Sequence, residues 1–89
     1  MNYDDYQKFT RDVKNYLQME CSLDSFNINP KKINVIVEPN AHSTQTSDVI
    51  LEFNDNNSFC TPQINEHKIR RIGMTHNTHI NQIKFRAKQ

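Results

Sequence analysis

Apolar positions divide the chain into stretches of different period. Near the start, Tyr6, Phe9, Val13, Tyr16 and Leu17 recur at spacings of three and four, the period of an α-helix with one buried stripe. Asn2 precedes them as a capping residue, and Asp4 and Asp5 bring negative charge to the first turn, where unpaired amides favour it. The pattern predicts an amphipathic helix from Tyr3 to Met19, with Lys8, Asp12 and Asn15 on its polar side and the aromatic stripe packed in a core. The stretch CSLDSFNINPKK breaks that period and ends around a proline, which reads as a connection.

The period then becomes two. Ile33, Val35 and Val37 alternate with Asn34 and Ile36, and Val49, Leu51 and Phe53 alternate with Ile50 and Glu52, so both stretches predict strands. Pro39 should end the first, and PNAHSTQTS between them is polar, turn-rich and too short for a parallel crossover. The two strands are therefore expected to pair antiparallel, with NDNN turning the chain after the second.

Thr61 followed by Pro62 is a helix start, and Gly73 a natural stop. Between them Gln, Glu, Lys and Arg favour helix, with Ile64, Ile69 and Ile72 in one arc, so a second helix is expected over 62–72. The last segment, THINQIKFRAK, fits a strand with Ile83 and Phe85 inward or a helix with Ile80 and Ile83 inward. Thr, Ile and Phe outnumber good helix formers there, which favours the strand. The expected architecture is one α+β domain over residues 1–89: an N-terminal amphipathic helix packed on a small antiparallel sheet, and a second short helix before a basic C-terminal strand.

Composition narrows the function. An 89-residue chain with 35% apolar residues builds one modest core and gains from a partner. A single glycine excludes P-loop and Rossmann nucleotide sites, which need several where backbone amides approach phosphate. No apolar run approaches the ~20 residues of a membrane span, and MNYDD carries acid where a secretory signal carries base. These features predict a protein of the host-cell cytoplasm or of a virion, with no membrane partner, and with Cys21 and Cys60 as reduced thiols. Asparagine occurs twelve times and isoleucine nine against one glycine and two alanines, the bias of AT-rich coding. A short chain of this composition resembles accessory proteins of phages and other mobile elements, which implies a structural or inhibitory component.

Charge is segregated along the sequence. Residues 1–60 hold five Lys or Arg against nine Asp or Glu, net −4, whereas residues 61–89 hold six against one, net +5. Lys68, Arg70, Arg71, Lys84, Arg86 and Lys88 are the candidate contacts for a partner or for phosphate. The expected partner is a protein or a second copy of the chain, with nucleic acid as the alternative.

Three readings compete for GMTHNTHINQIKF. In IGMTHNTHI, Ile72, Gly73, Met74 and Thr75 occupy the apolar, glycine, small apolar and capping positions of a helix-turn-helix turn, so the segment at 62–86 resembles DNA-binding proteins of that kind. The resemblance covers fewer than twenty residues and implies that His76, Asn77 and Thr78 meet base edges. It departs from the pattern at Ile69, where alanine is usual, at Lys68 in an apolar position, and at His79 in place of a buried aliphatic. In the second reading His76 and Asn77 form the tip of a β-hairpin, with Asn able to take positive φ. In the third, Cys60, His67, His76 and His79 bind zinc, although no second cysteine lies nearby. Enzymatic readings are weaker: GxSxG and HExxH are missing, and Asp48, Glu52 and Asp55 would need metal-site geometry to act as a nuclease. The chain is expected to be non-enzymatic, with no cofactor and no small-molecule substrate.

Overall fold

A computed structural model describes residues 2–26, 28–40, 42–53 and 64–88. Helix α1 (Tyr3–Met19) has the predicted bounds. The Asn2 side chain accepts from the Asp5 amide at 2.8 Å, closing the first turn. Phe9, Val13, Tyr16 and Leu17 form the buried stripe, spaced by three and four as the periodicity requires. The following connection is anchored by burial of Cys21, Leu23, Ile28 and Ile33. Two short 3-10 turns punctuate it, Leu23–Phe26 and Pro30–Lys32. Asn29 caps the second by accepting from the Lys31 amide, and Pro30 sits where its missing donor costs nothing.

Strands β1 (Asn34–Asn40) and β2 (Ser43–Phe53) pair antiparallel, Val35 opposite Leu51 and Val37 opposite Val49. Pro39 does not end β1. It stays in register opposite Ser47, and the pairing slips only after it. Among the described residues β1 is an edge strand, so a residue without an amide hydrogen is tolerated there. Most of PNAHSTQTS is consequently strand, not loop.

Helix α2 (Glu66–Thr75) starts and ends later than the 62–72 expected. Its cap is Asn65, whose side chain accepts from the His67 amide at 2.9 Å; Thr61, Pro62 and the NDNN turn lie outside the described residues. Gly73 does not stop the helix but lies buried in its last turn. A Cβ there would lie 2.9 Å from both the Thr78 carbonyl oxygen and Ile80 Cγ1, so the glycine admits the returning chain. The stop belongs to Asn77, at φ 57°. Around it the Thr78 amide donates to the Gly73 carbonyl and the Asn77 amide to that of Met74, which satisfies two carbonyls at the helix end.

Strand β3 (His79–Ala87) follows at once and pairs parallel to β2, giving a mixed sheet in the order β1-β2-β3. The α+β class holds, and the sheet is antiparallel only in its first pair. The chain from 54 to 78, with α2 inside it, is long enough for the crossover that a parallel pair demands. This arrangement overturns the helix-turn-helix geometry at 62–86, because residues 79–87 form a strand where that geometry needs a recognition helix. It also replaces the hairpin tip: Asn77 takes its positive φ between a helix and a strand, not between two strands.

Two steps of β2, from Ser47 to Val49, face three steps of β3, from Ile80 to Ile83. This bulge reverses the alternation, so Ile80 and Ile83 point to the same side and both pack on the core. α1 and α2 cover that side in antiparallel order, with Asp12 meeting His76 and Glu20 meeting Lys68. Fully buried Phe9, Leu17 and Ile69 join Val49, Leu51 and Phe53 of β2 in one core. The Tyr16 hydroxyl accepts from the Asn65 amide at 2.8 Å, tying the start of α2 to α1.

Candidate interaction surface

Alternation along β2 sends Val49, Leu51 and Phe53 into the core, so Asp48, Ile50 and Glu52 point to the face away from the helices. The register places Lys84 beside Ile50 and Arg86 beside Glu52 on that face, with Ile36 of β1 on the far side of Ile50. Cross-strand pairing then links β2 acids to β3 bases. Arg86 donates through Nε and Nη2 to Glu52 Oε2 at 3.0 and 2.8 Å, and Lys84 Nζ lies 4.0 Å from Asp48 Oδ2. From β1, Asn34 donates to Glu52 and Asn40 to Asp48. The Asn34 and Arg86 hydrogen bonds hold the Glu52 carboxyl below the usual glutamate range. Asp48 is buried and also accepts from the Gln82 amide at 3.3 Å, which secures the bulge.

The six candidate cations are thus divided. Lys84, Arg86 and, by alternation, Lys88 belong to the face away from the helices, whereas Lys68, Arg70 and Arg71 ride on α2 on the opposite side. Lys68 sits 3.8 Å from Glu20 of α1, and Arg70 donates to the Asn81 carbonyl of β3 at 3.1 Å. Arg71 is exposed and makes no ion pair or side-chain hydrogen bond among the described residues.

The four residues of the supposed tip do structural work. Thr75 donates to the Arg71 carbonyl within α2, and buried Thr78 donates to the His76 carbonyl. His76 Nε2 lies 2.7 Å from Asp12 Oδ2, and its side chain is 12% exposed, so it is a helix-to-helix contact and not a free tip. Because a carboxylate only accepts, Nε2 carries the hydrogen. That bond is the main reason the Asp12 carboxyl sits below the usual aspartate range, with Arg11 adding to it and partial burial opposing it. No sequence periodicity links Asp12 to His76, and only the antiparallel helix pair joins them.

The zinc set does not assemble among the described residues, where no three His, Cys, Asp or Glu side chains come together. His67 and His79 are exposed on different elements, and Cys60 lies outside the described residues, as does Asp55. Cys21 is buried, and desolvation pushes its thiol up, away from nucleophilic use. Desolvation and a hydrogen bond with Cys21 push Tyr16 up to about 12. A shallow groove of about 480 Å³ between the helices has Tyr16, Met19 and Ile72 in its walls. Its acids are engaged, Asp12 with His76 and Glu20 with Lys68.

Among the described residues no helix is long and apolar enough to cross a membrane. Comparison with protein-family models, with curated proteins and with solved structures returns no match to this chain.

Proposed function

We propose that the chain is a non-enzymatic interaction protein, a structural or inhibitory component of phage or mobile-element type, which docks on another protein through its basic C-terminal strand. It works in the host-cell cytoplasm or in a virion. One observation carries the reading: His79 to Lys88 contains three cations and no acid, on an edge strand whose Lys84 and Arg86 are steadied by acids of β2. A cation held by a neighbour loses less side-chain freedom on meeting a partner, so it docks at lower entropic cost. The α2 cations take a lesser part, since Lys68, Arg70 and Arg71 ride on a helix packed against the other side of the sheet from Lys84 and Arg86. A duplex is the less favoured partner, because Thr75 to Thr78 are used in ending α2 and the cations lie on two faces.

The test is affinity capture from the source cell, with and without nuclease, using the native chain and a variant with Lys84, Arg86 and Lys88 all changed to Gln. A discrete protein should be retained through nuclease and lost from the variant. Retention by the variant equal to that of the native chain, or loss of all captured material on nuclease treatment, would overturn the proposal.

A further inference from the structure

We infer that the docked segment is an acidic, extended stretch of the partner protein, which adds to the outer edge of β3 as a fourth strand. This rests on the reading above and specifies the chemistry of its partner. The Lys88 amide donates to the Phe53 carbonyl of β2, so strand alternation turns Lys84 and Arg86 backbone groups toward β2 as well. The amides and carbonyls of Ile83, Phe85 and Ala87 then face the other way, along an edge that no described strand occupies. Such a row of unpaired groups is a template for main-chain pairing. Upstream the edge is closed, because Arg70 occupies the Asn81 carbonyl. Among the described residues the free length is therefore 83–87.

Side chains beside that edge define what can pair with it. On the face away from the helices, Lys84, Arg86 and Lys88 recur at every second residue, and the charge order across the sheet already runs acid on β2, base on β3. Both Arg86 contacts use Nε and Nη2, which leaves Nη1 for an added acid. On the other face Phe85 is 38% exposed and stacks on Phe53 with centroids 6.3 Å apart, forming an apolar shelf at the rim. The complementary strand alternates acidic with aliphatic or aromatic residues. A second copy of β3 is a poor fit, since it would bring cations against cations. The same cations keep copies of the chain from joining edge to edge.

The probe is an octapeptide of alternating glutamate and valine, capped at both ends, labelled, and titrated with the full chain at low salt by fluorescence anisotropy. Two further peptides carry N-methyl groups on every valine or on every glutamate, since one of these sets must face β3. One methylated peptide should lose at least tenfold in affinity while the other binds much as the parent does. Ala87→Pro, which removes an outward amide and leaves the β2 ladder intact, should match that loss, as should Lys84→Gln combined with Arg86→Gln. If Ala87→Pro does not fold, the methylated pair decides the matter on the native chain. Equal binding of both methylated peptides with loss on charge removal would overturn strand addition and leave basic-strand docking standing. Absence of peptide binding together with nuclease-sensitive capture would overturn both.

Discussion

Gly73 and Asn77 show how one junction depends on two backbone requirements. Replacing Gly73 by Ala should gain about 1 kcal/mol of helix propensity and lose about 1–3 kcal/mol to overpacking. The loss prevails because the nearest obstacle includes the Thr78 carbonyl oxygen, and Thr78 is bonded through its amide to Gly73 itself. At Asn77, with φ 57°, glycine should be neutral within a few tenths of a kcal/mol, whereas alanine should cost about 1 kcal/mol. Urea midpoints check both. A Gly73→Ala midpoint at or above that of the native chain would mean that β3 does not approach α2 as closely as described. Both residues were visible in the sequence, but their roles were not. A glycine after a run of helix formers signals a helix end or a close approach equally well, and only the position of Thr78 and Ile80 separates the two.

At the scale of elements, α1 was fully legible because its cap, its first-turn acids and its apolar stripe are local. β3 was legible as a strand but not in its direction, since parallel pairing is decided by a crossover that leaves no mark on the strand. The bulge hid a further fact, that Ile80 and Ile83 share a side although an unbroken strand would separate them. The contact between α1 and α2 was invisible in sequence and has a measurable signature. The folded state lowers the Asp12 carboxyl, chiefly through the His76 hydrogen bond. A lowered carboxyl contributes stability that is complete above its unfolded value and is lost as pH falls through its folded value. Asp12→Asn should therefore flatten stability against pH in the range from about pH 5 down to about pH 2. Some acid slope should persist from Glu52, which is shifted in the same direction by Asn34 and Arg86. An Asp12→Asn protein whose urea midpoint falls with acid as steeply as that of the native chain would show that the interhelix bond makes no net contribution.

For the whole molecule, the division of charge in the sequence does not survive as a division in space. Asp48 and Glu52 come from the acidic part of the chain and Lys84 and Arg86 from the basic part, yet the sheet places them side by side. The cations of α2 and β3, neighbours in composition, are held on opposite sides of the core. A polyanion lying on one face therefore meets at most three of these six cations, and on the sheet face two of the three are already paired with acids. Each phosphate neutralised on B-DNA contributes about −0.9 to the slope of log K against log salt. Duplex DNA bound on the sheet face through Lys84, Arg86 and Lys88 should accordingly show a slope no steeper than about −3. Arg86→Gln should reduce that slope by at most about one, without regard to sequence. A slope of about −5 or steeper, from anisotropy titrations over a range of salt, would exceed what the three β3 cations supply and would bring in the helix side, where Lys8, Arg11 and Lys14 of α1 join the cations of α2. That outcome would favour nucleic acid over a protein partner, because the basic C-terminal strand would then no longer be the element that docks.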